Sequence, residues 1–157
     1  MTTDFLCGAD ISTLPDTEAE GGKFYVNGAE TDLLTALSDA GFNAVRLRIW
    51  HNPYTASGEP YGGGTCDTEK MIRLAQRAKA AGFKVLLDFH YSDFWCDPAR
   101  QGTPKAWRGM TLAEMAEALH RFTADTLDTL AAEGIFPQTV QVGNEITNGM
   151  CWDSAKL

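Results

Sequence analysis

The feature that most constrains the fold is a motif that occurs three times, in which a helical stretch ends at a glycine and an apolar, strand-like run follows. The glycines are Gly41, Gly82 and Gly134, and the apolar runs cover residues 44–50, 85–89 and 140–142. A glycine directly after a helix is typical of the left-handed C′ position. With an opening strand over residues 5–11, the predicted order is β-α-β-α-β-α-β. Strands that are separated by crossover helices must run parallel, so the repeat predicts an α/β protein with a parallel sheet.

Each repeat contains an amphipathic helix. The first helix is predicted over residues 31–40 and the second from about residue 67. The third is the longest, and Thr111 and Glu114 form the capping-box pattern that predicts its start, with an end near residue 133. Its apolar residues recur at three- and four-residue steps along one predicted face: Leu112, Met115, Ala116, Leu119, Phe122, Leu127 and Leu130. The corresponding stripe of the second helix is Met71, Leu74, Ala75 and Ala78.

Strand parity favours a barrel over an open, doubly wound sheet. The aliphatic residues of the run over residues 44–50 share one face, and Arg46 and Arg48 share the other; Asp88 and His90 likewise share a parity. Central strands of doubly wound sheets carry helices on both faces and therefore read as continuous apolar runs. Charged side chains on one face suit a barrel interior that opens on a site at the strand C-termini.

Length and charge limit the alternatives. The chain has 157 residues, whereas a (β/α)8 barrel usually needs about 250. With 13 basic and 21 acidic residues the formal charge is −8, and the basic residues are scattered, so we expect no nucleic-acid or membrane partner and favour a neutral ligand. Residues 1–4 have no basic n-region and the apolar runs are short, so neither a signal peptide nor a membrane span is expected in this chain. Secretion after removal of a leader stays open.

Neither a metal nor a cofactor is predicted. The four cysteines, at positions 7, 66, 96 and 151, match no zinc-ligand spacing and leave open three disulfide pairings or none. The histidines His51, His90 and His120 show no metal-ligand spacing either. Gly62-Gly63-Gly64 precedes a helix, but no Gly-Lys-Ser/Thr follows, so this segment is interpreted as a turn rather than a phosphate loop.

Two stretches at predicted strand ends are candidates for chemistry. The run Asp-Phe-His-Tyr-Ser-Asp-Phe-Trp, residues 88–95, interleaves rings with hydrogen-bonding groups as a sugar-binding surface does, although a loop anchored by buried aromatics explains it equally well. All four tryptophans fall in post-strand loops, which favours the sugar-binding interpretation. Val142-Gly143-Asn144-Glu145 closes the last strand, and partial burial at a barrel mouth would suit Glu145 to general-acid catalysis. The alternative is an ordinary exposed loop carboxylate.

A set of motifs identifies a family by resemblance. They are Gly8-Ala9-Asp10-Ile11-Ser12, Val45-Arg46-Leu47-Arg48-Ile49-Trp50, residues 88–95 with Asp97-Pro98, Pro104-Lys105-Ala106-Trp107 and Val142-Gly143-Asn144-Glu145. In order and approximate spacing, from about Phe5 to Trp152, they resemble glycoside hydrolase family 53, the arabinogalactan endo-β-1,4-galactanases. The resemblance implies a (β/α)8 barrel, of which this chain would carry about the first four strands and three helices. It also implies a secreted or cell-surface, endo-acting, retaining enzyme that cleaves β-1,4-galactan in pectic side chains.

The resemblance also implies roles for individual residues. Glu145 matches the acid/base at the end of the fourth strand. Asn144 would hydrogen-bond the sugar 2-hydroxyl, and Arg46 would help to fix the catalytic carboxylates. The substrate-binding residues that the resemblance implies are Arg46, His90, Trp95, Asn144 and Trp152.

The second catalytic group of a retaining glycosidase is not identified. Such an enzyme needs a nucleophilic carboxylate about 5–5.5 Å from the acid/base, and in the family it follows the seventh strand. No residue of this chain matches it, so residues 1–157 are expected to form the N-terminal half of a catalytic domain, with little or no turnover alone. The missing C-terminal half-barrel or a second copy in a homodimer would cover the open strand edges. The alternative functions are a non-catalytic galactan-binding half-barrel and another glycosidase of the same clan that acts on mannan or β-glucan.

Overall fold

The computed structural model describes residues 5–152 and 154–157. The prediction about a signal peptide concerns residues 1–4, which lie outside the described residues. Its main sheet consists of Gly8–Asp10 (β1), Ala44–Ile49 (β4), Lys84–Phe89 (β5) and Thr139–Val142 (β6). The strands are all parallel and lie side by side in sequence order, β1-β4-β5-β6, as strands do in the wall of a barrel. A separate antiparallel hairpin is formed by Tyr25–Val26 (β2) and Ala29–Glu30 (β3).

Helices connect the successive strands of the sheet. The described helices are Leu14–Ala19 (α1), Leu33–Asp39 (α2), Thr68–Ala80 (α3), Leu112–Ala132 (α4) and a 3-10 turn over Lys105–Trp107. The helices α2, α3 and α4 confirm the three predicted crossovers. Their N-termini are capped by the side chains of Asp32, Asp67 and Thr111, and the capping box between Thr111 and Glu114 is present. None of the helices within residues 5–152 and 154–157 is long and apolar enough to cross a bilayer.

The three predicted glycines end these helices. Gly41, Gly82 and Gly134 have φ values of 88°, 85° and 68°, in the left-handed region. The N–H of the residue after each glycine donates to the carbonyl five positions earlier, at distances between 2.8 and 3.0 Å. This is the Schellman arrangement, which turns the chain sharply from the helix into the next strand.

The sheet has an apolar outer face and a polar inner face, as strand parity predicts. On β4 the aliphatic residues Val45, Leu47 and Ile49 are at most 1% exposed. The α3 stripe Met71, Leu74, Ala75 and Ala78 is buried in the same core. Since burying one such large side chain contributes about 1.5–3 kcal/mol, this layer accounts for much of the attachment of helix to sheet.

Some predicted boundaries are wrong. The strand predicted over residues 5–11 is limited to β1, and Phe5 is 84% exposed. On α4, Leu112 and Ala116 are exposed although the periodicity places them on the buried face, whereas Thr126 is buried. A helix of 21 residues is about 31 Å long and a six-residue strand only about 20 Å, so α4 is longer than the strands beside it and part of its apolar stripe stays exposed.

The region between the first two sheet strands contains elements that the sequence patterns do not predict. The helix α1 has six residues with Pro15 in its first turn, too short to show helical periodicity. The turn between β2 and β3 is Asn27-Gly28, with φ values of 51° and 82°. This dipeptide is the usual signal for a two-residue type I′ hairpin, and it would have identified β2 and β3.

The two edges of the main sheet are β1 and β6. Apolar residues in and around β6 are exposed: Phe136 by 70%, Val142 by 53% and Ile146 by 38%. An edge strand flanked by exposed apolar side chains is a surface on which further chain would pack.

The core assignment can be tested with two helix leucines. We expect Leu74→Ala to lower the free energy of unfolding by about 2–5 kcal/mol, because the side chain is 2% exposed and its removal leaves a cavity between α3 and the sheet. The matched control is Leu112→Ala, which removes the same atoms from a residue that is 60% exposed and should change stability by less than about 0.5 kcal/mol. Urea unfolding followed by circular dichroism measures both, and equal losses would contradict the assignment.

Candidate active site

The polar inner face converges on Arg46. Its Nη1 donates to Asp10 Oδ2 at 3.3 Å, and its Nη2 donates to Asp88 Oδ2 and, at 2.8 Å, to Asn144 Oδ1. The Asp88 side chain is fully buried, whereas 31% of the Arg46 side chain stays exposed. A buried carboxylate is costly unless it is paired, so Arg46 makes the burial of Asp88 tolerable. We call Arg46, Asp10, Asp88, His90 and Asn144 the Arg46 network.

His90 is held at both ring nitrogens. Nε2 lies 3.1 Å from Asp88 Oδ2, and both side chains are fully buried. Nδ1 accepts the N–H of Cys96 at 3.0 Å. Since an accepting nitrogen carries no proton, the proton is on Nε2, which donates to Asp88. The structure therefore places His90 inside the network, where it orients its neighbours.

Trp95 forms the exposed aromatic surface of the site. It is 37% exposed, and the Arg48 guanidinium carbon lies 4.8 Å from the centroid of its ring. The His90 ring meets it edge-on, with the ring centroids 5.4 Å apart. Arg48 in turn lies 3.6 Å from Asp10, so Trp95 rests on the same charged layer as the Arg46 network. An indole supported in this way is a rigid stacking platform.

Asn144 and Glu145 follow β6 and differ in exposure. Asn144 is buried; its Oδ1 accepts from Arg46, and its Nδ2 donates to the carbonyl of Cys96 at 2.7 Å. Glu145 is exposed, and its carboxylate accepts no hydrogen bond from the part of the chain that the structure describes. The φ of Glu145 is 51°, a left-handed conformation that costs a non-glycine residue roughly 1–2 kcal/mol. Its surroundings must therefore hold it there.

Trp152 lies beside the network rather than in it. Its backbone N–H donates to the Gln101 carbonyl at 2.8 Å, and its Nε1 donates to the Asn148 carbonyl at 3.1 Å. Lys156 Nζ lies 4.3 Å from the centroid of its ring and covers one face. The ring borders a groove of about 520 Å³ whose lining also includes Thr103, Arg108 and Met115. Of the predicted site residues, the structure brings together Arg46, His90, Trp95 and Asn144. Glu145 directly follows Asn144 in the chain, and Trp152 is linked to this segment through Gln101.

The other two tryptophans are core residues. Trp50 is 0% and Trp107 is 3% exposed, so the expectation that all four tryptophans favour a sugar-binding surface is wrong for these two. Trp50 packs against the rings of His90 and Phe94, and Trp107 packs against His51. These buried rings pack against residues of the loops that follow β4 and β5.

A partly buried ionic contact ties together the loops that follow β4 and β5. Lys105 Nζ donates to the carbonyls of Asn52 (3.0 Å) and Tyr54, while Asp93 accepts the N–H groups of Lys105 (2.7 Å) and Asn52 (3.0 Å). Nζ of Lys105 and Nδ1 of His51 lie 3.8 and 3.6 Å from the Asp93 carboxylate. Burial pushes the pKa of Asp93 upward, but the neighbouring His51 ring, the Lys105 N–H and the Lys105 charge outweigh it and leave the pKa below its usual value.

Three residues of the site were given no role by the sequence patterns. Asp10 ends β1 and has the same inward parity as Arg46, and this pattern could have predicted that the two side chains lie in the same site. Lys105 and Gln101 are loop residues whose partners are distant in sequence, so no local pattern reveals them.

The cysteines, whose pairing the sequence left open, are all free thiols. Burial raises the pKa of Cys66 to about 12 and that of Cys151 to about 11. Such thiols stay protonated at neutral pH and are poor nucleophiles and metal ligands. Across residues 5–152 and 154–157, no group of three or more histidine, cysteine, aspartate or glutamate residues is arranged to hold a metal ion.

The loop contact predicts a pH-dependent stability. The pKa of Asp93 is lower in the folded than in the unfolded chain, where it is near 3.9, so its stabilisation is present above about pH 4 and is lost as the pH falls through the folded value. We expect Asp93→Asn to lower the free energy of unfolding at pH 7 by about 1–3 kcal/mol and the difference from wild type to shrink at acid pH. Urea titrations at a series of pH values measure this. The exposed Asp125→Asn on α4 is the control, and a pH-independent difference for Asp93→Asn would contradict the assignment.

Comparison with known proteins identifies a family. The model of glycosyl hydrolase family 53 matches residues 6–157. The endo-beta-1,4-galactanase of Bacillus subtilis (strain 168) is 45% identical over 155 residues, which are 98% of this chain and 36% of that protein. The Ignisphaera aggregans GH53 catalytic domain superposes with a TM-score of 0.94 and 46% identity, over 99% of this chain and 44% of that one. A structure of fungal beta-1,4-galactanases gives a TM-score of 0.86 and 39% identity, over 95% of this chain and 42% of that one.

The chain thus spans about two fifths of the length of these relatives. Its parallel sheet and crossover helices confirm the predicted fold class, because the chain superposes on about two fifths of solved GH53 (β/α)8-barrel domains. A family match over residues 6–157 and superposition on two solved members lead to one conclusion: the chain belongs to glycosyl hydrolase family 53.

Proposed function

We propose that residues 1–157 form the N-terminal half of the catalytic domain of an endo-acting, retaining galactanase that cleaves β-1,4-galactan in arabinogalactan and pectic side chains. The observation that carries the proposal is the position of Glu145 directly after the anchored Asn144, at the end of β6 and next to the Arg46 network. The name of the Bacillus subtilis relative, endo-beta-1,4-galactanase, supports galactan as the substrate.

Glu145 is the proposed acid/base. In a retaining mechanism this group protonates the glycosidic oxygen and then, as a base, activates the water that releases the product. The other carboxylates near the strand ends are engaged: Asp10 and Asp88 contact Arg46, and Asp93 contacts Lys105. The Glu145 carboxylate is exposed and has no hydrogen-bond donor among the described residues, so it is free to transfer a proton.

The sugar is proposed to bind across Trp95 and Asn144. Arg48 occupies one face of the Trp95 ring, so the other face is proposed to stack on the apolar face of a galactose ring. Asn144 Nδ2 uses one hydrogen for the Cys96 carbonyl and has a second to donate to a sugar hydroxyl. Arg46 keeps 31% of its side chain exposed for a further hydroxyl, His90 supports the platform, and Trp152 is proposed to offer a more distant stacking surface.

This chain alone is proposed to bind galactan with little or no turnover. Retention requires a second carboxylate that attacks the sugar carbon. Asp10 and Asp88 are the acidic side chains of the Arg46 network, and both are held by arginine, which lowers their nucleophilicity and fixes their position. A non-catalytic galactan-binding half-barrel and a clan glycosidase for mannan or β-glucan are the competing functions.

One set of measurements tests which sugar the chain binds and whether the chain alone is catalytic. We expect the chain to bind β-1,4-galactotriose, measured by calorimetry, and Trp95→Ala to weaken the affinity about tenfold because the stacking surface is lost. The control is Tyr25→Ala, which removes an exposed ring (60%) from the hairpin. Reducing-sugar release from galactan is measured in parallel for the wild type, for Glu145→Gln and for the control Glu117→Gln on the exposed side of α4.

Each result has a defined meaning. Galactotriose binding without sugar release is the result expected of this chain alone, and a non-catalytic galactan-binding half-barrel predicts the same result. Release that falls at least 100-fold in Glu145→Gln alone means that the chain itself is catalytic, with Glu145 as the acid/base. Release that is equal in both glutamate variants removes Glu145 from the mechanism. Tighter binding of mannotriose or cellotriose supports the other clan activity, and binding of none of these sugars overturns the proposal.

The open sheet edges predict how the chain associates. We propose that β1 and β6 pair with further strands of the same barrel rather than with a second copy, because the chain spans about two fifths of its relatives. Size-exclusion chromatography with light scattering is then expected to give the mass of one chain, 17.1 kDa. A well-defined species of twice that mass would instead support a homodimer in which two half-barrels cover each other's edges.

The protein is proposed to act outside the cell, either secreted or at the cell surface. The support is the substrate, because a polysaccharide of cell-wall size does not cross a membrane and must be cleaved where it lies.

A further inference from the structure

Gln101, in the loop between β5 and α4, is a buried amide with an unusual set of partners. It is 1% exposed. Its Nε2 donates to the carbonyls of Asn144 at 2.8 Å, Asp97 at 3.1 Å and Glu145 at 3.3 Å. An amide has two N–H groups, so three carbonyls share two hydrogens.

The orientation of this amide is fixed by its environment. Turning it by 180° would bring its oxygen against three carbonyl oxygens, which repel it. Oε1 is buried and has no hydrogen-bond partner among the described residues. A buried glutamine whose oxygen is unpaired and whose nitrogen meets three acceptors acts through its N–H groups.

Two of the three acceptors belong to the segment whose backbone is strained. The carbonyls of Asn144 and Glu145 lie on either side of the Glu145 backbone N–H and side chain, and Glu145 has a φ of 51°. Further along, the Trp152 N–H donates to the backbone carbonyl of Gln101 at 2.8 Å. Gln101 therefore holds the segment over residues 144–152 at both ends, and its side chain holds the end that carries the glutamate.

We infer that Gln101 is a positioning residue for the acid/base: its amide keeps Glu145 in the left-handed conformation that directs the carboxylate. This inference rests on the proposed function for the role of Glu145, but the conformational part stands on the hydrogen bonds alone. A displacement of about 1 Å in a catalytic group is enough to lower a rate by up to 100-fold, so an effect on the backbone has a catalytic consequence.

The conformational test uses NMR spectroscopy of the 157-residue chain labelled with ¹⁵N and ¹³C. A residue with φ near +50° has its amide proton close to its own Hα and gives a strong intraresidue NOE. We expect this NOE at Glu145 in the wild type and its loss in Gln101→Met, which keeps the length of the side chain and removes the donors. Glu145 that keeps its positive φ in Gln101→Met would overturn the inference.

A buried hydrogen bond elsewhere provides the matched control. Thr126 is 3% exposed on α4 and donates to the Phe122 carbonyl at 2.8 Å. Thr126→Val removes this bond and should lower stability without changing the NOE at Glu145. If the Glu145 NOE is lost in both variants, the cause is general destabilisation, and a specific role for Gln101 is rejected.

The variant Gln101→Glu separates hydrogen bonding from packing. A carboxylate at this position repels the carbonyls, whereas a protonated carboxyl donates one hydrogen bond to them. We expect the Glu145 NOE to be lost at neutral pH and to recover as the pH falls. Asp97 and Glu145, whose backbone carbonyls face this group, carry ionisable side chains of their own, so the wild type is measured over the same pH range. A Gln101→Glu spectrum without this pH dependence would point to packing alone.

Activity is an independent readout. Where wild type releases sugar from galactan, we expect Gln101→Met to lower kcat about 10- to 100-fold with KM changed less than about twofold. Trp95 is untouched, and the Asn144 side chain keeps its own partners, Arg46 and the Cys96 carbonyl. An unchanged kcat together with a changed NOE would reject the catalytic consequence. If wild type shows no turnover, as proposed for this chain alone, the NMR measurements still decide whether Gln101 sets the conformation of Glu145.

Discussion

The site depends on the charge balance around Arg46. Arg46 lies on β4, and its guanidinium contacts Asp10 on β1 and Asp88 on β5, the two neighbouring strands. It also contacts Asn144, which follows β6, so it connects all four strands of the sheet. Without it, Asp88, which accepts from His90, would be a buried charge with no opposite charge beside it. The polar interior is tolerated because helices cover the other face of the sheet, where aliphatic residues supply the stabilising contacts. Stability and recognition are thus assigned to opposite faces of the same strands.

Above this layer, the loops are fixed by contacts that cross from one strand end to the next. Lys105 and Asp93 join the loops after β4 and β5, and Gln101 joins the loop after β5 to the segment after β6. Buried rings of Trp50 and Trp107 fill the space beneath. Each loop is therefore held by its neighbour, which is how flexible connections come to present Trp95 and Glu145 in defined positions.

Much of this could be read from the sequence, for identifiable reasons. The helices end at Gly41, Gly82 and Gly134 because glycine adopts the left-handed C′ conformation without steric cost. The residues of β4 alternate between the helix-covered core and the polar inner face because side chains alternate across a strand. The resemblance to family motifs assigned Arg46, Asn144 and Glu145 to the same predicted site. The roles of Gln101 and Lys105 could not be predicted, because their partners are 43 and 53 residues away in the chain. Nor could the burial of Trp50, since a tryptophan after a strand has the same local signature whether it stacks on a ligand or on a neighbouring ring.

The left-handed backbone at Glu145 has a consequence for evolution and engineering. Glycine and asparagine adopt this conformation at lower free energy than glutamate, so the backbone and the proposed chemistry prefer different residues at the same position. Selection for heat resistance alone would favour replacements that relax the turn and remove the proposed acid/base. Residue 145 is thus a local case of the trade-off between stability and activity, and any library designed for thermal robustness should keep this codon fixed.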